Sequence, residues 1–111
     1  MPDILLVHGS CHGAWAFRDL APVLQDLGYT ARAIDLPGHG NNPHPIADIT
    51  LDLYADAILD AIEDGAIVLG HSMAGFPISA AAEKAPDQID RLIFLCAYVP
   101  RNGVSLTDMR K

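Results

Sequence analysis

Apolar positions along the chain fall into four short blocks separated by two helical rhythms and one alanine-rich run. Ile4-Leu5-Leu6-Val7, ended by His8-Gly9, is a continuous apolar run and predicts a strand buried on both faces of a parallel sheet. Ser10 to Trp15 reads as loop. Leu20, Val23, Leu24 and Leu27 then recur at i, i+3, i+4 and i+7, a helical stripe with Gly28 at the C-terminal cap. Tyr29 to Ile34 is the second strand, and Asp35 to Pro45 is turn chemistry with no regular element. Thr50 is placed to cap a second helix carrying Leu51, Tyr54, Ala55, Ile58 and Ile62 on one face and ending at Gly65. Ala66 to Leu69 is the third strand. A helix from about residue 74 to Ala85 follows, stopped by Pro86, with Pro77 tolerable only inside its first turn. Arg91 to Cys96 is the fourth strand, and an irregular polar tail follows Ala97-Tyr98-Val99-Pro100.

Strands alternating with helices predict an α/β fold: a parallel sheet of about four strands with helices on both faces, three layers α/β/α, within one domain spanning residues 1–111. In such sheets ligands gather at the carboxyl ends of the strands, where strand order reverses. The chemically unusual residues all fall there: His8 to His12 after the first strand, Asp35 to Gly40 after the second, Ser72 after the third and Ala97-Tyr98 after the fourth.

Gly70-His71-Ser72-Met73-Ala74-Gly75 holds the pattern G-x-S-x-G between an apolar run and a helix, the context of a nucleophile elbow. Ser72 is the candidate nucleophile. Gly70 and Gly75 fit because side chains there would collide with the strand and helix around the turn. The backbone N–H of Met73 and that of Ser10, in the loop after the first strand, are candidate donors to an oxyanion. His12, with Cys11 beside it and Tyr98 at the end of the fourth strand, is a candidate to line a substrate pocket. A base for Ser72 is missing: this architecture takes its histidine after the serine, and all five histidines precede or adjoin it. His71 is expected to point away from Ser72, His8, at the strand end, to pack the loop, His39 to serve a turn and His44 to face solvent. Asp35 is expected to anchor the turn that follows it. His8, Cys11 and His12 lack a helix to align them on a metal, since Gly9 and Gly13 interrupt it, and Gly38-His39-Gly40 matches no phosphate loop.

Composition narrows the classes. A formal charge of -7 with scattered Lys and Arg argues against nucleic acid and anionic membrane surfaces. No apolar run approaches the roughly 20 residues needed to span a bilayer. Met1-Pro2-Asp3-Ile4 lacks the features of a secretory signal, which points to the cytoplasm. Cys11 and Cys96 end strands two places apart, about 9 to 10 Å and beyond bridging range, so both are expected as free thiols.

The segments His8-Gly9-Ser10-Cys11-His12-Gly13-Ala14-Trp15, Asp35 to Gly40 and Gly70 to Gly75 together resemble the amino-terminal half of the α/β-hydrolase fold. Phe94 to Pro100 and the first of these segments are similar to the branch of plant methylesterases, hydroxynitrile lyases and bacterial esterases. The resemblance implies Ser72 as nucleophile, Ser10 and Met73 as oxyanion donors, Trp15 as a support of the oxyanion loop, and no cofactor or metal. It also implies a cap and two further strands bearing an Asp and a His, absent from this sequence. A carboxylic-ester hydrolase, incomplete in these 111 residues, is the first expectation; a hydroxynitrile lyase and a non-catalytic or inactive fragment are the alternatives. The expected partners are a small-molecule ester and, because the fourth strand would be a bare edge, a second copy of the chain or a fragment carrying the remainder.

Overall fold

The computed structural model describes residues 3–63 and 65–109. Four parallel strands, β1 (Asp3–Val7), β2 (Thr30–Ile34), β3 (Ala66–His71) and β4 (Ile89–Leu95), form one sheet in the order β2-β1-β3-β4. Strand order therefore reverses between β1 and β3. Every connection is a crossover through a helix: α1 (Leu20–Asp26), α2 (Leu51–Asp60) and α3 (Gly75–Lys84). Because crossovers share one hand, those leading in opposite directions along the sheet lie on opposite faces. Leu20, Ala21 and Leu24 of α1 accordingly pack with Ile4, Leu6 and Leu69 on one face. Ala55 and Ile58 of α2 and Ile78 and Ala81 of α3 meet Leu5, Val7 and Val68 on the other. Four consecutive buried residues in β1, Ile4 to Val7, are what burial on both faces demands.

Local chemistry places the helix ends. The Thr50 hydroxyl accepts the Leu53 N–H at 3.0 Å, capping α2. Pro77 is the third residue of α3, inside the first turn, where its missing N–H costs no intrahelical bond. At the far end of α3, Lys84 Nζ reaches Asp52 (2.7 Å) and Asp56 (2.5 Å) on α2, an exposed clasp between the helices.

Several elements differ from the sequence expectation. Helix α2 ends at Asp60, not Gly65, because the Ala61 N–H already turns back to Ile58 and Leu59 carbonyls. Gly65, at φ +83°, instead donates its N–H to Gln88 O, joining the start of β3 to that of β4. Strand β4 starts two residues earlier than expected, at Ile89, and Asp90 is the extra residue of a register shift opposite Ala66 and Ile67. A short 3-10 turn at Ala14–Phe17 begins in the stretch expected to be loop, another covers Ile46–Asp48, and helix α4 (Leu106–Met109) lies in the tail expected to be irregular. Ser105 supports α4, its hydroxyl accepting from Asp108 N–H at 3.1 Å while the Asp108 carboxylate accepts from Ser105 N–H at 3.2 Å.

Strand β4 is an edge of the sheet. Its Leu92 and Phe94 pack toward the α2 and α3 core, while Ile93 (38% exposed) and Leu95 (41%) face outward on the side that α1 leaves open. The fully buried Ile78 is the pin of the opposite face. Ile78→Ala should cost about 3 kcal/mol of unfolding free energy through the cavity it leaves. Thr50→Ala should cost about 1 kcal/mol through loss of the cap. Urea denaturation of the two variants against the parent checks both values and their order.

Candidate active site

Strand β3 runs out at His71, and Ser72 turns the chain with φ +57°, a left-handed conformation that a non-glycine residue holds only under constraint. A 3-10 turn over Ser72–Ala74 leads directly into α3. Glycines make the constraint possible. A Cβ at Gly70 would lie 2.8 Å from Ile78 Cδ1 and 3.1 Å from Ala74 O, so strand and helix can close on each other only without it. A Cβ at Gly75 would overlap the carbonyl oxygen of Tyr98, so its obstacle is the segment after β4, not the strand and helix that flank the turn. The same segment holds the serine, since Tyr98 N–H donates to Ser72 O at 3.1 Å.

The loop after β1 lies against this turn across the point where strand order reverses. A Cβ at Gly9 would stand 3.1 Å from Ser72 Cβ and 3.2 Å from His71 O, so the two loops approach as closely as backbone permits. His12 N–H donates to Gly9 O at 3.3 Å and closes a turn. Cys11 sits third in it at φ +60°, the position where a type II turn requires positive φ.

Residues after β2 brace that loop. The Asp35 carboxylate accepts Ala14 N–H at 2.8 Å and Asn41 N–H at 3.1 Å, and Asn42 Nδ2 donates to Asp35 O at 3.0 Å. Asp35 thus anchors its own turn, as expected, and also the loop after β1. Gly13 and Gly40 line its carboxylate and leave no room for a Cβ. The N–H bond from Ala14 is the main cause holding Asp35 below the usual carboxylate range, helped by Asn41, His8 and His39 against the effect of burial. His8 is fully buried, its ring 4.7 Å from that of His39. Its Nε2 accepts Leu36 N–H at 3.1 Å, so Nδ1 carries the proton and donates to Gly9 O at 2.8 Å. Burial pushes the His8 pKa below its ordinary 6.5.

The structure brings together Ser72, Met73, Ser10, Cys11 and His12 at the carboxyl ends of β1 and β3. Ser10, Cys11 and His12 are exposed, while Met73 is half-buried against the core. The His12 ring is more engaged than a pocket wall requires: Nδ1 donates to Ser10 O at 2.6 Å, and the ring stacks on Trp15 at 5.4 Å. His71 stands edge-on to His12 at 6.2 Å. Tyr98 meets the elbow through its backbone, and its ring lies 6.4 Å from Phe76. Cys11 and Cys96 are both free thiols. Among the described residues no side chain hydrogen-bonds to the Ser72 hydroxyl, and no group of three His, Cys, Asp or Glu could hold a metal ion. No helix among them is long and apolar enough to cross a membrane. A groove of about 730 Å³ between Phe76, Ala80 and the 99–105 segment is not lined by Ser72. His8 packs the loop as expected; the tie of Asp35 to Ala14 N–H, beyond its own turn, has as its sequence signal only the glycines at 13 and 40 that leave room for its carboxylate.

A parallel sheet with this reversal, and a serine held left-handed between strand and helix beneath a glycine-rich loop, define the class. The family model for the alpha/beta hydrolase fold matches residues 2–111, and the chain belongs to that family. Methylesterase 9 of Arabidopsis thaliana is 34% identical over 106 residues, covering 90% of this chain and 41% of that protein. The carbendazim hydrolyzing esterase of Nocardioides sp. (strain SG-4G) is 34% identical over 111 residues, covering 96% and 46%. Among solved structures, an extracellular alpha/beta-hydrolase from a Paenibacillus species superposes with a TM-score of 0.86 at 29% identity, covering 97% of this chain and 46% of that one. The chain thus spans under half the length of the relatives it matches.

Two outcomes follow from the geometry. Gly75→Ala should destabilise the fold by about 3 kcal/mol or more, because a Cβ there must displace the Tyr98 backbone and release Ser72; thermal unfolding by circular dichroism reads it. Folded His8 takes up its proton at lower pH than the unfolded side chain, whose ordinary value is 6.5, so its contribution to stability is present above 6.5 and is lost as pH falls from there through the lower folded value. Asp35, held below its ordinary 3.8, adds a second loss as pH falls from there through its lower folded value. Melting temperatures measured from pH 7.5 down to 5 should fall less steeply for His8→Asn than for the parent.

Proposed function

We propose that this chain carries the nucleophile-bearing part of a serine esterase acting on small carboxylic esters through an acyl-enzyme. The observation that carries the reading is Ser72 at φ +57° between β3 and α3, against the loop of Ser10. Esterase names among the relatives support it.

In the proposed reaction a base removes the Ser72 hydroxyl proton as Oγ bonds to the ester carbonyl carbon, and the carbonyl electron pair moves onto oxygen. Met73 N–H, in the 3-10 turn that leads into α3, where the first backbone donors lack intrahelical acceptors, and Ser10 N–H receive that oxyanion. Collapse breaks the bond to the alcohol, which leaves with the proton taken from Ser72. Water, deprotonated by the same base, bonds to the acyl carbon; the bond to Ser72 Oγ breaks, the acid leaves and the base returns its proton to Oγ. The residues used are backbone donors and a hydroxyl, chemistry that proceeds without a cofactor. The charge of -7 disfavours a polyanionic substrate.

The base is the piece these residues do not supply. His8 and His12 are committed to loop carbonyls, His39 packs on His8 and Tyr54, His44 is exposed, and His71 faces His12. We place the base on polypeptide that docks along β4, beside the outward-facing Ile93 and Leu95, either in continuation of this chain or on another molecule. The 111 residues then form a single incomplete domain.

Ser72→Ala in the full-length protein should reduce kcat on a small activated ester by about 10⁴-fold or more. Unchanged hydrolysis by that variant would sink the nucleophile assignment. The 111-residue polypeptide alone should show no Ser72-dependent turnover and should sediment as an oligomer through its open β4 edge. Labelling by a phosphonate probe at ordinary esterase rates, or a monodisperse monomer in light scattering, would count against this division of labour.

A further inference from the structure

Taking Ser10 N–H as an oxyanion donor, we infer that His8 is the positioning residue that aims it. In a trans peptide the C=O and the following N–H point in opposite directions, and among the described residues no peptide bond is cis. The orientation of Gly9 C=O therefore dictates that of Ser10 N–H. Gly9 O accepts from two groups, His8 Nδ1–H at 2.8 Å and His12 N–H at 3.3 Å. The first is shorter, comes from a fully buried ring and is itself tied to the segment just after β2 through Leu36 N–H on Nε2 at 3.1 Å.

The restraint answers a specific weakness. Gly9 is the residue whose missing Cβ lets the loop approach Ser72, and the same absence leaves its peptide free to rotate. On the other side Cys11 is held left-handed, so Ser10 sits between two permissive or strained joints. An unrestrained Gly9–Ser10 peptide would rotate its N–H away from the oxyanion position with little backbone cost. Fixing a donor before charge develops is where electrostatic catalysis gains, because no reorganisation then accompanies the reaction. Burial keeps His8 neutral, and only the neutral ring both donates to Gly9 O and accepts from Leu36 N–H.

Two substitutions separate aiming from mere support. In His8→Asn the side-chain amide can still donate to Gly9 O but loses the Leu36 contact; in His8→Gln it can accept from Leu36 N–H but no longer holds Gly9 O. In the full-length protein with 4-nitrophenyl acetate, His8→Gln should lower kcat by about 100-fold with KM within about threefold, and His8→Asn should stay within about fivefold of the parent kcat, in line with loss or retention of one oxyanion donor. Melting temperature is measured on both. Equal losses in the two variants, retained kcat in His8→Gln, or losses that follow melting temperature and not the Asn–Gln contrast would overturn the role of His8. Ser72→Ala is assayed in parallel: if it stays active, the nucleophile reading fails; if it is inactive and His8→Gln is not impaired, only the His8 role fails.

Discussion

The close approach of Gly9 to Ser72 Cβ and His71 O, where strand order reverses, is the constraint on which the rest of the structure depends. Strands β1 and β3 are hydrogen-bonded neighbours whose helices leave on opposite faces, so their two carboxyl-end loops have no helix between them. A Cβ on Gly9 would press on Ser72 Cβ and His71 O, one at Gly70 on Ile78 and Ala74, and one at Gly75 on Tyr98. Three glycines, one in the loop after β1, one in β3 and one at the start of α3, thus surround one serine in a left-handed conformation. The strain of about 1 to 3 kcal/mol that such a residue stores is borne by the packing of β3, α3 and the segment after β4.

Loops brought this close need bracing, and the bracing comes from the strand on the far side of β1. Asp35 and Leu36, at the end of β2, tie down the loop after β1 at two points, Ala14 N–H and the His8 ring. Both ties use groups in the ionisation state that their surroundings enforce: a carboxylate stabilised by backbone donors and an imidazole kept neutral by burial. The two ties favour the same pH range, since an imidazolium could not accept Leu36 N–H and a neutral aspartic acid accepts backbone N–H groups more weakly than a carboxylate. Stability of the fold and geometry of the candidate site are coupled through the same two side chains.

What was legible in the sequence was whatever a local pattern encodes. The unbroken apolar run of β1, the Thr50 cap, Pro77 in the first turn of α3 and the G-x-S-x-G turn each depend on residues within one element, and each stands where it was expected. The end of α2 was misplaced because Gly65 carries an equally good stop signal for a different purpose, the turn into β3. The role of His12 was only half read. Its position after the first strand announces a site, but its bond to Ser10 O and its stacking on Trp15 require the folded loop.

The sequence by itself determined the order and type of the elements, the glycine-flanked serine and the absence of a histidine beyond it, because hydrophobic period and turn chemistry act over a few residues. Only the tertiary structure decided that Gly75 is needed for Tyr98, that Asp35 and His8 brace a loop more than 20 residues away in sequence or at its own root, and that Ile93 and Leu95 face outward. Those facts arise from strand ends and loops that meet through sheet order, and a distance across a sheet has no counterpart in spacing along a chain.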